Sequence, residues 1–224
     1  MTNFKRKKVA AAAFTFLMAF SSISGATITS ADTEQEEDFD VKEAEISPGN
    51  NGKHLTVPSL TMTYLNYQNL IEKYNPGLDD ATRIEIYQTA QDASQKYDVP
   101  LELILAIIGC ESEFKPKLRG ALDDTGLMQV RFRYSSSWAK AMGIAAPKSM
   151  SALTDIETNI YMGTYILSHL FDNFHNNLEY ALIGYNAGEN YVNRRLAAGD
   201  ELPSRYLVRV NLFYEELTKQ PLMK

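Results

Sequence analysis

The sequence predicts a mostly α-helical fold, and three observations support this. Apolar residues recur at helical spacing in several stretches, for example at Ile84, Ile86, Tyr87 and Ala90. Residues that cap or start helices stand ahead of these stretches. Outside residues 130–132 no convincing alternation of apolar and polar residues indicates a half-buried strand. We therefore expect several short helices around one core.

The first predicted helix begins at Asp79 and Asp80, whose carboxylates can accept hydrogen bonds from its first backbone N–H groups. It runs to about Lys96. The segment before it, residues 54–80, can be an extra helix or a coil, and its composition does not decide between the two. We expect this segment to pack onto the same domain.

The second predicted helix begins at Asp98 and Pro100. Pro100 falls in the first turn, where its missing N–H costs nothing because that group has no partner within a helix. Pro116 is expected to end the helix, since a proline cannot continue it. Residues 117–125 are rich in Gly and Asp and form a loop, and residues 126–130 open the next segment.

A longer helix is predicted after a connector at residues 147–153. Thr154, followed three residues later by Glu157, forms a capping box, in which each side chain bonds to the other residue's backbone N–H. The helix runs to about Phe174. Its apolar residues are Ile160, Ile166, Leu167, Leu170, Phe171 and Phe174.

Three helices complete the predicted fold. The first covers residues 178–185, and a turn at residues 186–188 separates it from the second, at residues 189–196. Leu202 and Pro203 begin the last helix, which continues through Leu217.

Glu111 lies on the apolar side of the second predicted helix. Leu101, Ile104, Ile107 and Ile108 precede it by ten, seven, four and three residues, so all five project from one face. Proteins keep a carboxylate on a dry face where an acid must hold its proton near neutral pH. A lone Glu at the end of an apolar run can also mark the point where a helix reaches the surface. The residues that follow decide between these interpretations.

Three short motifs occur in order along the chain. They are Glu-Ser at residues 111–112, Gly-Leu-Met-Gln at residues 126–129 and Tyr-Asn-Ala-Gly at residues 185–188. Together they resemble the motifs of the soluble lytic transglycosylases, glycoside hydrolase family 23, which also includes the goose-type lysozymes. The resemblance covers about residues 85–217. Each motif alone is weak, whereas all three in this order and spacing are specific.

The resemblance implies a lysozyme-like fold in a single globular domain, residues 61–224. It also implies a lytic transglycosylase that cleaves the β-1,4 bond between N-acetylmuramic acid and N-acetylglucosamine in peptidoglycan. Family members work with one catalytic glutamate, here Glu111, and need no cofactor. Glu111 would protonate the leaving oxygen while the substrate acetamide stabilises the cationic centre. Glu111 would then take the proton of the muramyl 6-hydroxyl, which leaves a 1,6-anhydromuramyl end.

The resemblance further assigns roles around the substrate. Gln129 suits a sugar N-acetyl or hydroxyl group, and Tyr185 is the expected hydrogen-bond partner of Glu111 or of the acetamide. Ser112 is expected to fix the turn after Glu111, and Tyr206 resembles the late tyrosine that closes the family's cleft. The predicted substrate-binding residues are Ser112, Gln129, Tyr185, Asn186 and Tyr206.

Two alternatives to the transglycosylase stay open: a lysozyme-type hydrolase that cleaves the same bond, and a non-catalytic wall-binding accessory protein. Most glycosidases place two carboxylates across the scissile bond, and Asp123 and Asp124 could approach Glu111 from the loop before Gly126. Asp-Asp-Thr-Gly is also typical of a turn, which favours a structural role. A lysozyme-type hydrolase would use water in place of the 6-hydroxyl. A wall-binding accessory protein would have lost catalysis altogether.

Residues 1–31 have the features of a secretory signal peptide. Residues 5–8 are all basic, and the apolar run that follows, residues 9–20, is too short to span a bilayer as a helix. Small residues allow cleavage after Ala26 or Ala31. We therefore expect export to the periplasm, the cell wall or the extracellular space.

Residues 32–60 are expected to form an acidic disordered linker, since eight acids and one base lie between residues 32 and 45. Loss of the signal removes four positive charges and no acid, which takes the net charge from −6 to about −10. A nucleic-acid-binding surface would be basic, so we expect no nucleic-acid partner. The expected partner is the glycan strands of peptidoglycan. A cell-envelope-spanning assembly is a further candidate, and the chain is expected to be a monomer.

The single cysteine, Cys110, cannot form a disulfide within the chain, so the fold must rest on its own core. Its neighbours are apolar and no histidine lies nearby in sequence, so we interpret Cys110 as a small buried hydrophobe. His54, His169 and His175 lack metal-ligand spacing, and we assign no metal site.

Overall fold

The computed structural model of the chain describes residues 61–223. In this part of the chain eight α-helices and one 3₁₀ helix surround a common core, and two strands of two residues each form a single small sheet. The mostly α-helical prediction is therefore confirmed. The predicted signal peptide at residues 1–31 and the acidic linker at residues 32–60 lie outside the described residues.

The elements follow one another along the chain with short connections. The helices are α1 (Met62–Tyr74), α2 (Asp80–Tyr97), α3 (Leu101–Ser112), α4 (Phe132–Met142), α5 (Ile156–Asn173), α6 (Leu178–Ala187), α7 (Glu189–Ala198) and α8 (Arg205–Thr218). The 3₁₀ helix is Met150–Thr154, and the antiparallel strands are β1 (Asp124–Thr125) and β2 (Val130–Arg131). Within residues 61–223 no helix combines the length and the hydropathy that a membrane span requires.

Helix α3 lies at the centre of the core. Every residue from 103 to 110 is buried, and α1, α2 and α8 all pack against this helix. The apolar face that the sequence indicates, through Ile104, Ile107 and Ile108, is therefore only part of the buried surface of α3. Neighbouring helices cover its circumference, which is why the sequence is apolar nearly all round.

Helix α3 ends at Ser112, four residues before the predicted stop at Pro116. Glu113 and Phe114 instead turn the chain in the left-handed conformation, with φ angles of 50° and 58°. The Phe114 ring is buried edge-on against Tyr67 of α1, with 5.6 Å between ring centroids, and Asn75 Nδ2 donates to the Phe114 carbonyl at 2.9 Å. Contacts from α1 and its C-terminal cap thus hold a backbone conformation that residues with side chains rarely adopt.

Two helices had no predicted bounds. Helix α1 lies within residues 54–80, the segment that the sequence left as helix or coil. It is fixed to α8 by a buried hydrogen bond of 2.6 Å from Asn66 Nδ2 to the carbonyl of Leu217, and its Tyr67 is fully buried. Helix α4 follows β2, in a stretch to which the sequence analysis gave no element.

Several helix ends differ from their predicted positions. The N-cap of α5 is Asp155, whose Oδ1 accepts the Thr158 N–H at 2.8 Å, and not Thr154 as the capping box predicted. Helix α6 continues through Ala187, so the predicted turn at residues 186–188 is reduced to Gly188. The last helix begins at residue 205, after the predicted start at residues 202–203.

Helices α3 and α8 touch at Gly109. A Cβ atom built on Gly109 would lie 2.4 Å from Cδ1 of Phe213, a distance that real side chains do not reach. Only glycine lets the two helices approach this closely without a shift. This contact holds α8 against the C-terminal half of α3.

Candidate active site

Glu111 lies in the last turn of α3 and is partly buried. The hydroxyl of Tyr206, a buried residue in the first turn of α8, donates a hydrogen bond to Glu111 Oε1 at 2.7 Å. A glutamate at the point where a helix simply surfaces would be solvated instead. The contact between α3 and α8 therefore builds a specific environment around this one carboxyl group.

The surroundings of Glu111 favour its protonated form. Burial is the largest influence and raises the pKa of Glu111, and the charge of Asp124 raises this pKa further. The hydrogen bond from Tyr206 and the charge of Arg209 act in the opposite direction. The net pKa of Glu111 is raised, so this group keeps its proton at a higher pH than an exposed glutamate. A general acid needs this property.

Tyr185 lies beside Glu111 but does not hydrogen-bond to it. Its hydroxyl donates to the backbone carbonyl of Met128 at 2.8 Å. The predicted hydrogen bond from Tyr185 to the Glu111 carboxyl is therefore not formed, because the buried carbonyl takes this donor and Tyr206 binds the carboxyl instead. The other predicted partner of Tyr185, the substrate acetamide, stays a prediction. Burial and then the nearby Glu111 charge raise the pKa of Tyr185 well above its usual value, which keeps the hydroxyl neutral.

The Gly-Leu-Met-Gln motif forms the turn between β1 and β2. Gly126 has a φ of 82°, a conformation that suits glycine, and Gln129 has a φ of 47°. Gln129 Nε2 donates to the carbonyls of Gly126 at 2.8 Å and Leu118 at 3.3 Å. These bonds fix the side chain and leave Oε1 as the atom that can accept a hydrogen bond from a sugar.

Asn159 of α5 holds this turn in place, although it stands outside the three sequence motifs. Its side chain is buried, and Oδ1 accepts the Met128 N–H at 2.7 Å. Its Nδ2 donates to the carbonyls of Thr125 and Leu153, both at 2.8 Å. The sequence does contain a pattern that indicates a buried role for Asn159: it follows Ile156 by three residues and so lies on the apolar face of its helix.

Ser112 and Asn186 occupy contrasting positions. Ser112 is 1% exposed, and its hydroxyl donates to the carbonyl of Ile108 at 2.9 Å. This bond lies at the end of α3, where the sequence placed the role of Ser112, and its predicted contact with substrate stays a prediction. Asn186 is exposed near the end of α6, and its role in substrate binding stays a prediction.

The two aspartates before the motif take different positions. Asp123 pairs with Arg133 at 3.1 Å, and Asp124 pairs with Arg131 across the strands at 2.9 Å. Both pairs stabilise the turn, as the structural interpretation expected. Asp124 also lies close enough to Glu111 for its charge to act on that carboxyl.

Cys110 is buried, and burial raises the pKa of its thiol to about 12. The interpretation of this residue as a small hydrophobe is confirmed. Within residues 61–223, no cluster of three or more His, Cys, Asp or Glu side chains could hold a metal ion.

Comparison with known proteins gives a matching family model and several similar proteins. The model of the family "Transglycosylase SLT domain" matches residues 88–207. The soluble lytic murein transglycosylase of Escherichia coli (strain K12) is 33% identical over 95 residues, which are 42% of this chain and 15% of that protein. The membrane-bound lytic murein transglycosylase C of Serratia proteamaculans (strain 568) is 37% identical over 117 residues, which are 46% of this chain and 31% of that protein. The chain thus matches less than a third of these relatives' own length.

Two solved structures are similar at a lower level. An inactive mutant of the lytic transglycosylase Slt from Pseudomonas aeruginosa has a TM-score of 0.47 and 23% identity, and the match covers 58% of this chain and 22% of that one. The 70 kDa soluble lytic transglycosylase from Escherichia coli has a TM-score of 0.43 and 25% identity, with 67% and 20% covered.

Proposed function

The chain belongs to the transglycosylase SLT domain family, because the family model matches more than half of the residues of the chain. We propose that this protein is a peptidoglycan lytic transglycosylase. The resemblance stated from the three sequence motifs is confirmed by this match. The observation that carries the proposed activity is the partly buried Glu111, with its raised pKa and its hydrogen bond from Tyr206.

In the first proposed step Glu111 acts as a general acid. Its proton passes to the glycosidic oxygen between N-acetylmuramic acid and N-acetylglucosamine as the bond from that oxygen to the anomeric carbon breaks. The substrate's own acetamido oxygen stabilises the positive charge on that carbon. Gln129 Oε1 and the exposed Asn186 are the groups we propose to orient the sugars.

In the second proposed step Glu111 acts as a general base. The ionised carboxyl takes the proton of the muramyl 6-hydroxyl, whose oxygen forms a bond to the anomeric carbon. Glu111 is thereby returned to its protonated form, and the product is a 1,6-anhydromuramyl end. No water is consumed: the reaction is an intramolecular transfer at the anomeric carbon and is formally classed with the lyases.

Product analysis tests this proposal. Purified sacculi are digested with the wild-type chain and with Glu111→Gln, and the masses of the released muropeptides are measured by mass spectrometry. We expect anhydromuramyl products from the wild type and a loss of roughly 10²–10⁴-fold in rate for the variant. Glu113→Gln is the matched control, because Glu113 is exposed two residues further on. Equal product from wild type and Glu111→Gln would exclude the proposed role.

Hydrolysis of the same bond is a second candidate, because Asp124 acts electrostatically on Glu111. A second carboxylate near the acid could activate a water molecule, as in other glycosidases. The product would then be a reducing end, heavier by one water. We expect Asp124→Asn to lower the share of reducing ends if hydrolysis occurs, and Asp123→Asn, which removes the neighbouring carboxylate, to leave it unchanged.

We propose the cell envelope as the site of action and the glycan strands of peptidoglycan as the partner. The named activities of the relatives support this, since both are murein transglycosylases. A non-catalytic wall-binding protein would instead be retained on purified sacculi without releasing any muropeptide over hours. The same digestion experiment separates these two outcomes.

A further inference from the structure

Arg209 connects α8 to the turn of α3 that carries Glu111. Arg209 follows Tyr206 by three residues, so the two side chains leave neighbouring turns of one face of α8. While Tyr206 donates to Glu111 Oε1, Arg209 Nη2 donates to the backbone carbonyl of Cys110, the residue before Glu111. One helix face therefore holds both the side chain and the backbone of the proposed catalytic turn.

The carbonyl that Arg209 binds is one that the helix itself leaves open. The last carbonyl groups of an α-helix lack partners within it, and the helix dipole makes this end partly negative. In α3 the Gly109 carbonyl accepts the Glu113 N–H and the Ser112 carbonyl accepts the Lys115 N–H. Arg209 supplies a donor and a positive charge at the Cys110 carbonyl between them.

We propose that Arg209 is a positioning residue of the reaction: it fixes the C-terminal turn of α3 and holds a positive charge beside a carboxyl that must serve both as acid and as carboxylate. This inference rests on the proposed function. Arg209 needs no contact with substrate, since it acts through Glu111.

Five groups face Glu111 from four elements, and two of them carry charge. The tyrosines of α6 and α8 and the thiol of α3 have raised pKa values and stay neutral. The charged groups are Asp124 of β1, which raises the pKa of Glu111, and Arg209 of α8, which lowers it. The full set is Cys110, Asp124, Tyr185, Tyr206 and Arg209.

This arrangement has a consequence for the two proposed steps. Burial alone would favour the protonated form of Glu111, which the first step needs, and would disfavour its ionised form, which the second step needs. A fixed positive charge stabilises that carboxylate while leaving the proton in place at the start. Without Arg209 the carboxyl would hold its proton to a higher pH and the ionised intermediate state would be less stable.

The experiment titrates Glu111 directly. The ¹³C chemical shift of its side-chain carboxyl is followed by NMR against pH in the wild type, Arg209→Gln and Arg209→Lys. We expect the midpoint to move to higher pH in Arg209→Gln and to return toward the wild-type value in Arg209→Lys, which keeps the charge. Arg205→Gln removes an exposed arginine from the same helix and should leave the midpoint in place.

The rate of anhydromuramyl formation gives a second readout. We expect kcat of Arg209→Gln to fall by about tenfold and the basic limb of its pH profile to move upward with the midpoint. An unchanged midpoint in Arg209→Gln, or an equal shift in Arg205→Gln, would overturn the inference. Should Arg209→Gln not fold, Arg209→Met replaces it, because its side chain keeps the apolar stem of arginine without the charge.

Failure of this inference can be told apart from failure of the proposed function. The NMR titration needs no turnover, so it measures the effect of Arg209 on Glu111 whatever product the protein releases. A protein that makes no anhydromuramyl ends loses the proposed function, and a protein that makes them with an unmoved midpoint loses only the role of Arg209.

Discussion

At the scale of single residues, the proposed chemistry depends on what surrounds one carboxyl group. Glu111 is partly shielded from bulk water and receives one hydrogen bond from Tyr206. The hydrogen bond from Tyr206 and the charges of Arg209 and Asp124 all act on the pKa of Glu111, and each of these three can be removed by one substitution.

Tyr206→Phe removes the hydrogen bond to Glu111 and keeps the ring. Since this bond lowers the pKa of Glu111, its loss should raise that pKa and move the basic limb of the pH–rate profile upward. We also expect kcat to fall by roughly 10- to 100-fold, as for a lost hydrogen bond to a charged group of about 1.5–3 kcal/mol. The rate of anhydromuramyl formation against pH measures both effects. Tyr214→Phe, at a half-buried tyrosine of the same helix, is the control, and an unmoved profile for Tyr206→Phe would contradict the expectation.

Glu111→Gln should stabilise the fold in a pH-dependent way. The pKa of Glu111 in the folded protein lies above its ordinary value of 4.5, so folding favours the protonated form. The resulting stability is fully present below the ordinary pKa and is lost as pH rises through the folded pKa. The amide variant does not ionise, so it should be more stable than wild type by about 1 kcal/mol near pH 8 and no more stable near pH 4. Melting curves at both pH values test this, and an equal difference at both would contradict it.

The sequence motifs located residues of the candidate site but not all of their contacts. Glu111, Gln129 and Tyr185 could be found because each stands in a motif with a fixed order. Which tyrosine reaches the carboxyl depends on how α8 packs on α3, and that packing is not encoded in spacing along the chain. Asn159 escaped notice because a polar residue inside a long helix has many ordinary explanations.

At the scale of elements, the pair of α3 and α8 builds the site. Helix α3 brings the carboxyl and α8 brings both the tyrosine and the arginine that act on it. The positions of α2, α3 and α5–α8 could be predicted from periodicity and caps, whereas those of α1 and α4 and the end of α3 could not. Two left-handed residues replace the proline as its stop, and they are held by a phenylalanine that packs on α1, a contact from outside the local sequence.

Gly109→Ala should separate the two helices. The new Cβ would meet the Phe213 ring, so we expect a loss of stability of about 1–3 kcal/mol, as for other overpacked sites. Activity should fall as well, because the displaced helix carries Tyr206. Thermal melts and kcat measure the two effects. Gly77→Ala is the control, since a Cβ at Gly77 meets no atom within 4 Å.

A second substitution sharpens this test. Phe213→Leu in the Gly109→Ala background shortens the side chain that the new methyl group meets. We expect the double variant to recover part of the lost stability, which a double-mutant cycle would report as a favourable coupling. Strictly additive effects of the two substitutions would show that the clash is not the cause.

At the scale of the whole molecule, the folded unit is larger than the family match. The match begins at residue 88, inside α2, yet α1 lies ahead of it and contributes the buried Tyr67 and the Asn66 bond to α8. The Tyr67 hydroxyl also donates to the Arg83 carbonyl at 2.8 Å, which ties α1 to α2. The sequence could not settle whether this segment is helical, because its apolar residues find their partners only in distant elements.

Truncation tests where the folded unit begins. We expect residues 61–224 to melt cooperatively, since all helices of the core are retained. Residues 76–224 lack α1 and expose the surfaces of α3 and α8 that it covers, so we expect them to unfold at a clearly lower temperature. Circular dichroism against temperature measures both, and the same Tm for the two fragments would contradict the expectation.

The thiol of Cys110, the single cysteine of the chain, can report when the packing around α3 opens. The thiol of Cys110 is buried and neutral, so we expect it to react with a maleimide only when the packing around α3 opens. The rate of adduct formation should therefore track that opening, and it should rise in Gly109→Ala. A labelling rate in the native protein equal to that of a free thiol would show that the helix pair does not shield it.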